Sequence, residues 1–238
     1  MQKIRKQKVW FVLSLFVLAA FGCGEESRPV DSPPAPPALA EQNAAPRDGV
    51  IVAVGDSLTA GYRVNEDRAY PAILQARLDR DGYNLEVINS GISGETSSGT
   101  LARLDWILTL KPDIIILETG ANDGLRGIDP QLTRDNLDRI ITRLKDEKII
   151  VVLAGMKMIK NLGKTFTREF ESLYPAMAAK HGVTLIPFFL EGVAADRQLN
   201  QADGIHPTEE GYRRVVEHIY PFVVEAIGEF TGKAEVKP

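Results

Sequence analysis

The 238-residue chain reads as an α/β protein: a three-layer α/β/α sandwich around a central, mainly parallel five-stranded sheet. Two features carry this reading. Five short runs rich in β-branched residues recur between Gly49 and Phe188, most of them without polar alternation, as strands covered on both faces require. Between and after them lie segments with helical spacing, so successive strands are joined by helix-length crossovers of the right-handed βαβ kind.

The runs, in order, are Val50–Val54, Leu85–Asn89, Asp113–Glu118, Ile149–Ala154 and Val183–Phe188. Helices are predicted near Pro71–Arg80, where Ile73, Leu74 and Leu78 share a face, and near Leu101–Leu110, Pro130–Lys145, Thr167–His181 and Thr208–Phe230. There is no internal repeat and no second domain, and the pattern leaves strand order open.

Composition agrees with a globular body: 44% hydrophobic and 25% charged residues supply enough apolar surface to offset chain entropy. No apolar run reaches the ~20 residues of a membrane-spanning helix. The formal charge of −4 joins two unlike parts, because residues 1–23 hold Lys3, Arg5, Lys6 and Lys8 and no acid. The remainder has 24 basic against 32 acidic residues, a net −8, which excludes nucleic acid as an expected partner.

Those four cations precede the 13-residue apolar stretch Val9–Phe21, with small Ala20 and Gly22 just before Cys23. A basic start, a short apolar middle and small residues at a cut site describe an export signal over residues 1–22. Cys23 is the only cysteine, so no intramolecular disulfide forms. The stretch resembles a bacterial lipoprotein signal, which implies acylation of Cys23 and membrane contact through that lipid; it departs at Ala20 and Phe21, and ordinary cleavage would leave a soluble periplasmic protein. Residues 23–47 carry six of the fourteen prolines and read as an extended tether. The folded domain is expected over 48–231, with 232–238 as a tail.

In parallel sheets ligands bind where strands end at their carboxyl edge. The segments that follow strands one to three are Gly55-Asp56-Ser57-Leu58, Ser90-Gly91-Ile92-Ser93-Gly94 and Thr119-Gly120-Ala121-Asn122-Asp123-Gly124, and Asp203-Gly204-Ile205-His206-Pro207 precedes the last helix. These residue types suit acyl transfer. A serine hydroxyl needs a base, an imidazole supplies one, and a carboxylate fixes its tautomer. Ser57 can be the nucleophile, His206 the base and Asp203, three residues earlier, its orienter. The amides of Ser57 and Gly91 and the side-chain NH₂ of Asn122 can stabilise an oxyanion, with glycine at 91 letting the backbone approach substrate. Structural roles stay open for each piece: Ser57 as a helix N-cap, Gly91 and Gly94 as turn residues, Asn122 as a loop residue, Asp203-Gly204 as a turn and Pro207 as the first helical residue. Of the three histidines, His181 sits at a helix end and His218 inside a helix, leaving His206 placed for catalysis.

Taken together, the blocks Gly55–Arg63 (GDSLTAGYR), Asn89–Thr96 (NSGISGET), Gly120–Gly127 (GANDGLRG) and Asp203–Pro207 (DGIHP) resemble the SGNH (GDSL) hydrolase superfamily, within it the bacterial multifunctional thioesterase/lysophospholipase/arylesterase group. The resemblance runs from about Val50 to Val224 and departs at Ala121, where a second glycine often stands. It implies a flavodoxin-like sheet, the name-giving roles for Ser57, Gly91, Asn122 and His206 with Asp203 completing a triad, and hydrolysis of acyl or aryl esters, lysolipids or thioesters without metal or cofactor. It also implies a substrate groove beside Ser57, bounded by Gly124, Leu125 and Arg126 on one side and by Met156, Met158 and Ile159 on the other. Core packing of some of these methionines is an equal reading. A monomer is expected.

Rival readings are weaker. Asn161–Thr165 looks like the end of a P-loop, but Met158 falls where its first glycine belongs. Asp56, Glu118, Asp123 and Asp203 could ligate a metal, which leaves the Ser/Gly/Asn/His set unexplained. The motif G-x-S-x-G of α/β-hydrolases is absent. A carbohydrate O-acetylesterase, and a lipoprotein that only binds, are the alternatives on the same fold.

Overall fold

The computed structural model describes residues 47–158 and 162–232. Five strands form one sheet: β1 (Gly49–Gly55), β2 (Leu85–Gly91), β3 (Ile114–Leu117), β4 (Ile150–Ala154) and β5 (Thr184–Ile186). Their order is β2-β1-β3-β4-β5 and every neighbouring pair is parallel. Strand β3 (IIIL) is buried along its whole length, as a run without polar alternation requires. Ile51, Val52 and Ala53 of β1 beside it are fully buried.

The chain leaves β1 toward one edge of the sheet and returns past it to build the other edge. That reversal lies between β1 and β3, and it opens a crevice at their carboxyl ends. Register brings Gly55 of β1 opposite Gly91 of β2, so the segments after these strands emerge side by side.

Helix α1 (Ser57–Ala60) is a single turn after β1, and α2 (Tyr70–Arg80) follows a short 3₁₀ turn. Pro71 sits in the first turn of α2, where a missing N–H costs nothing, and Leu74 and Leu78 face the core. The single helix expected near 101–110 is instead two, α3 (Ser97–Ala102) and α4 (Leu104–Thr109). They meet at Arg103, whose guanidinium turns back to Glu95 at 2.7 and 2.8 Å and to Ser90. Helix α5 (Ala121–Leu125) is another single turn, after β3. Helix α6 (Pro130–Asp146) is capped by Asp129 and buries Leu137, Ile140, Ile141 and Leu144. Helix α7 (Lys164–His181) ends at Gly182, whose φ of 62° gives the left-handed stop. Helix α8 (Glu209–Phe230) starts at Thr208, whose hydroxyl accepts from the Gly211 amide. Pro207 therefore precedes the cap rather than opening the helix. Helices α2 and α8 pack together, and α6 packs between α3 and α7.

Candidate active site

The turn after β1 sets the first side chain. Asp56 is the N-cap of α1, its Oδ1 accepting the Leu58 N–H at 2.9 Å. Ser57 is thus the first helical residue and not the cap, which leaves its hydroxyl unclaimed by the helix. That Oγ lies 2.8 Å from Nε2 of His206, 149 positions further along the chain.

His206 is held from the opposite side. Asp203 Oδ2 lies 2.8 Å from Nδ1, while Asp203 Oδ1 accepts the backbone N–H groups of Ile205 and His206 at 3.0 Å each. An ionised carboxylate only accepts, so Nδ1 carries the ring proton and Nε2 presents a lone pair to Ser57. Desolvation pulls the Asp203 carboxyl upward, but the two backbone donors and the imidazole outweigh it and hold it at about 2. The orienting charge is present throughout the physiological range. The arrangement can deprotonate a serine hydroxyl and return the proton to a leaving group.

The third group of atoms lies around Asp56. Asn122, second residue of α5, donates its Nδ2 to Asp56 Oδ2 at 2.8 Å and to the Glu95 carbonyl at 3.0 Å. The Gly91 N–H bonds Asn89 Oδ1 at 2.9 Å. Packing alone requires glycine at 91. A Cβ there would lie 2.1 Å from the Ala60 nitrogen, so the glycine lets β2 end against α1.

The proposed substrate walls divide. Leu125 and Arg126 are exposed, and Arg126 Nη2 donates to the Gly94 carbonyl at 2.7 Å. Gly124 is buried with the Met158 sulfur packed over it, and Met156 and Met158 belong to the hydrophobic core. Those three line the interior instead of forming a free groove wall, because an apolar thioether fills the space that Gly124 leaves. Ile159 and Cys23, with the expected export signal and nearly all of the expected tether, lie outside the described residues. The carboxylates of the metal reading are engaged separately: Asp203 on His206, Asp123 on Ser97 and Thr133, and Asp56 and Glu118 beneath Ser57. The remaining histidines have structural partners, His181 with Asp138 and His218 with the Phe188 carbonyl.

Two neighbours were not foreseen. Gln201 donates to the Tyr62 carbonyl at 2.8 Å and to the Pro207 carbonyl at 2.9 Å, tying the serine segment to the histidine segment. The Tyr62 ring lies 4.5 Å from the imidazole, centroid to centroid. Tyr62 falls inside the first recognised block and could have been singled out; Gln201 carries no signal in the sequence.

A serine, an imidazole and a carboxylate in hydrogen-bonded series at the carboxyl edge of a parallel sheet define a serine-hydrolase type of site. Residues 53–214 match the model of the GDSL-like lipase/acylhydrolase family, and the chain belongs to that family. It is 39% identical over 172 residues to esterase TesA of Pseudomonas aeruginosa, covering 72% of this chain and 86% of that protein. It is 38% identical over 168 residues to thioesterase 1/protease 1/lysophospholipase L1 of Escherichia coli K12, covering 70% and 79%. Among solved structures, the SGNH-hydrolase family esterase AlinE4 is 40% identical with a TM-score of 0.65, covering 77% of this chain and 99% of that one.

Proposed function

We propose that the protein is a serine esterase that cleaves small acyl or aryl carboxylic esters, lysolipids among them, through an acyl-enzyme. The observation that carries this is the continuous series Ser57–His206–Asp203, with both links at 2.8 Å. Ser57 Oγ attacks the ester carbonyl as its proton passes to Nε2; the protonated ring then gives that proton to the departing alcohol. Water donates a proton to the same nitrogen, its oxygen attacks the acyl-serine, and the carboxylic acid and free Ser57 are released. Asn122 and the amides of Ser57 and Gly91 stabilise the oxyanion of both tetrahedral intermediates, the Gly91 N–H exchanging Asn89 Oδ1 for it.

Esters with apolar groups fit better than acetyl sugars. Ile92 beside Gly91, Leu125 in the turn of Asn122 and Ile205 beside His206 are 49%, 40% and 43% exposed, which gives the segments of the site an apolar edge. Names of relatives include arylesterase, thioesterase and lysophospholipase, and all these reactions share one acyl-transfer step. The N-terminal pattern supports export and lipid attachment at Cys23, which puts carboxylic esters and lysolipids within reach and cytosolic acyl-CoA out of it.

The test is labelling of Ser57 by a fluorophosphonate probe together with turnover of p-nitrophenyl esters of graded length. Labelling of the native chain, none of Ser57→Ala, and better turnover of butyryl than of sugar acetyl esters are expected. A folded protein that neither labels nor turns over refutes the reading. Mass spectrometry of the mature N-terminus reads the fate of Cys23.

A further inference from the structure

Beneath the nucleophile lie two carboxyl groups that the mechanism above does not use. Asp56 is 1% exposed and Glu118, at the end of β3, is fully buried. Glu118 Oε2 accepts the Asp56 N–H at 3.1 Å and the Thr59 hydroxyl at 2.8 Å; its Oε1 is buried without a partner. The neighbourhood is built around this acid. A Cβ on Gly55 would lie 2.3 Å from Glu118 Oε2, so only glycine lets the strand pass it. Asp56 has the opposite character, with an N–H donor on each oxygen: Leu58 on Oδ1 and Asn122 on Oδ2.

An unpartnered buried oxygen is least costly on a neutral carboxyl, whereas two N–H donors favour an anion. Two adjacent buried carboxyls do not both ionise. Burial, and then the charge of Asp56, push Glu118 well above the ordinary carboxylate range. Burial also raises Asp56, against the pull of the Leu58 amide and of His206. The groups that face Glu118 electrostatically are Asp56, Tyr70, Tyr174 and Tyr212; none is a cation that would neutralise a second charge.

Resting on the esterase reading, we propose that Asp56 and Glu118 form a positioning pair with a single proton, kept on Glu118, and that the anion on Asp56 anchors the Asn122 amide for oxyanion binding. Nδ2 of Asn122 has two hydrogens. One stays on the charged Asp56 oxygen, the shorter and stronger bond. The other, held by the neutral Glu95 carbonyl at 3.0 Å, exchanges that acceptor for the substrate oxyanion. Asp56 thus acts through Asn122, and Glu118 acts through Asp56 by staying neutral while accepting its N–H.

Asp56→Asn separates this from a capping role. The new amide oxygen still takes the Leu58 N–H, but its NH₂ confronts the NH₂ of Asn122. On p-nitrophenyl butyrate, kcat is expected to fall about 10- to 100-fold, with KM changed less than about twofold. Asn122→Ala is expected to lose ~10²–10³ in kcat, and the double variant no more than Asn122→Ala alone. Losses that multiply, or an unchanged kcat in Asp56→Asn, overturn the proposal. If Asp56→Asn does not fold, Glu118 supplies the second comparison. Glu118→Gln, which mimics the neutral acid, is expected to retain at least about a third of kcat, while Glu118→Leu loses at least about thirtyfold with KM kept. Equal losses in both Glu118 variants also overturn it. Failure of the esterase reading is distinct: the native chain then leaves the ester intact and the probe unbound.

Discussion

Replacing Asp203 by Asn tests how the imidazole is held. The amide oxygen can still accept the backbone N–H groups of Ile205 and His206, so the turn persists. Its NH₂ then faces Nδ1, which must become an acceptor, and the single ring proton moves to Nε2. That nitrogen points at Ser57 and can no longer take its proton. The lost charge adds to this. Unit charges ~4 Å apart attract by about 4 kcal/mol at an effective dielectric of ~20, close to three decades in rate. The Asp203 side chain keeps 31% of its exposure, so water screens part of that attraction, and the wrong tautomer compensates for the discount. The expected loss is on the order of 10³ in kcat with KM changed less than about twofold, read as initial rates on p-nitrophenyl butyrate beside a thermal melt. A folded variant that loses less than about tenfold refutes the idea that Asp203 sets the tautomer.

Three further outcomes follow from the same geometry. Gln201→Ala removes the bonds to the Tyr62 and Pro207 carbonyls and is expected to lower kcat about three- to tenfold and stability by about 1–2 kcal/mol, read by kinetics and denaturant titration. Gly91→Ala drives a methyl into the backbone of α1, and a cost of about 1–3 kcal/mol with a loss of at least about 10² in kcat is expected from the same measurements. Glu118 has its folded-state value raised, so the native state binds the proton more tightly and loses stability as pH climbs above the unfolded value of ~4.3. The melting temperature of Glu118→Gln should therefore gain on the native protein as pH rises from about 5 to about 8; a constant difference counts against a neutral Glu118.

The core was legible because parallel strands shielded on both faces leave dense β-branched runs, and every observed strand lies within two residues of its predicted bounds. Ser57, Asn122, Asp203 and His206 were legible because they stand at strand ends or just ahead of a helix, where side chains have no packing duty. What was hidden depends on three-dimensional neighbours. The break at Arg103 follows from its bonds to Ser90 and Glu95, which no periodicity announces. Turns as short as α1 and α5 are too brief to show a 3.6-residue period, so Asp56 as cap was missed. The burial of Met158 reflects the room left by Gly124, on a different segment. Gln201 acts through two carbonyls, and its neighbours in sequence give no hint of either.

The hydroxyl and the ring that activates it are separated by most of the folded chain, and the ring sits directly ahead of α8, which packs against both α2 and the sheet. A polypeptide whose 203–206 turn is not seated against Ser57 lacks the base, and its serine is as unreactive as any free alcohol. Ester hydrolysis thus requires both ends of the folded chain to be in place, and catalytic turnover itself reports that they have met.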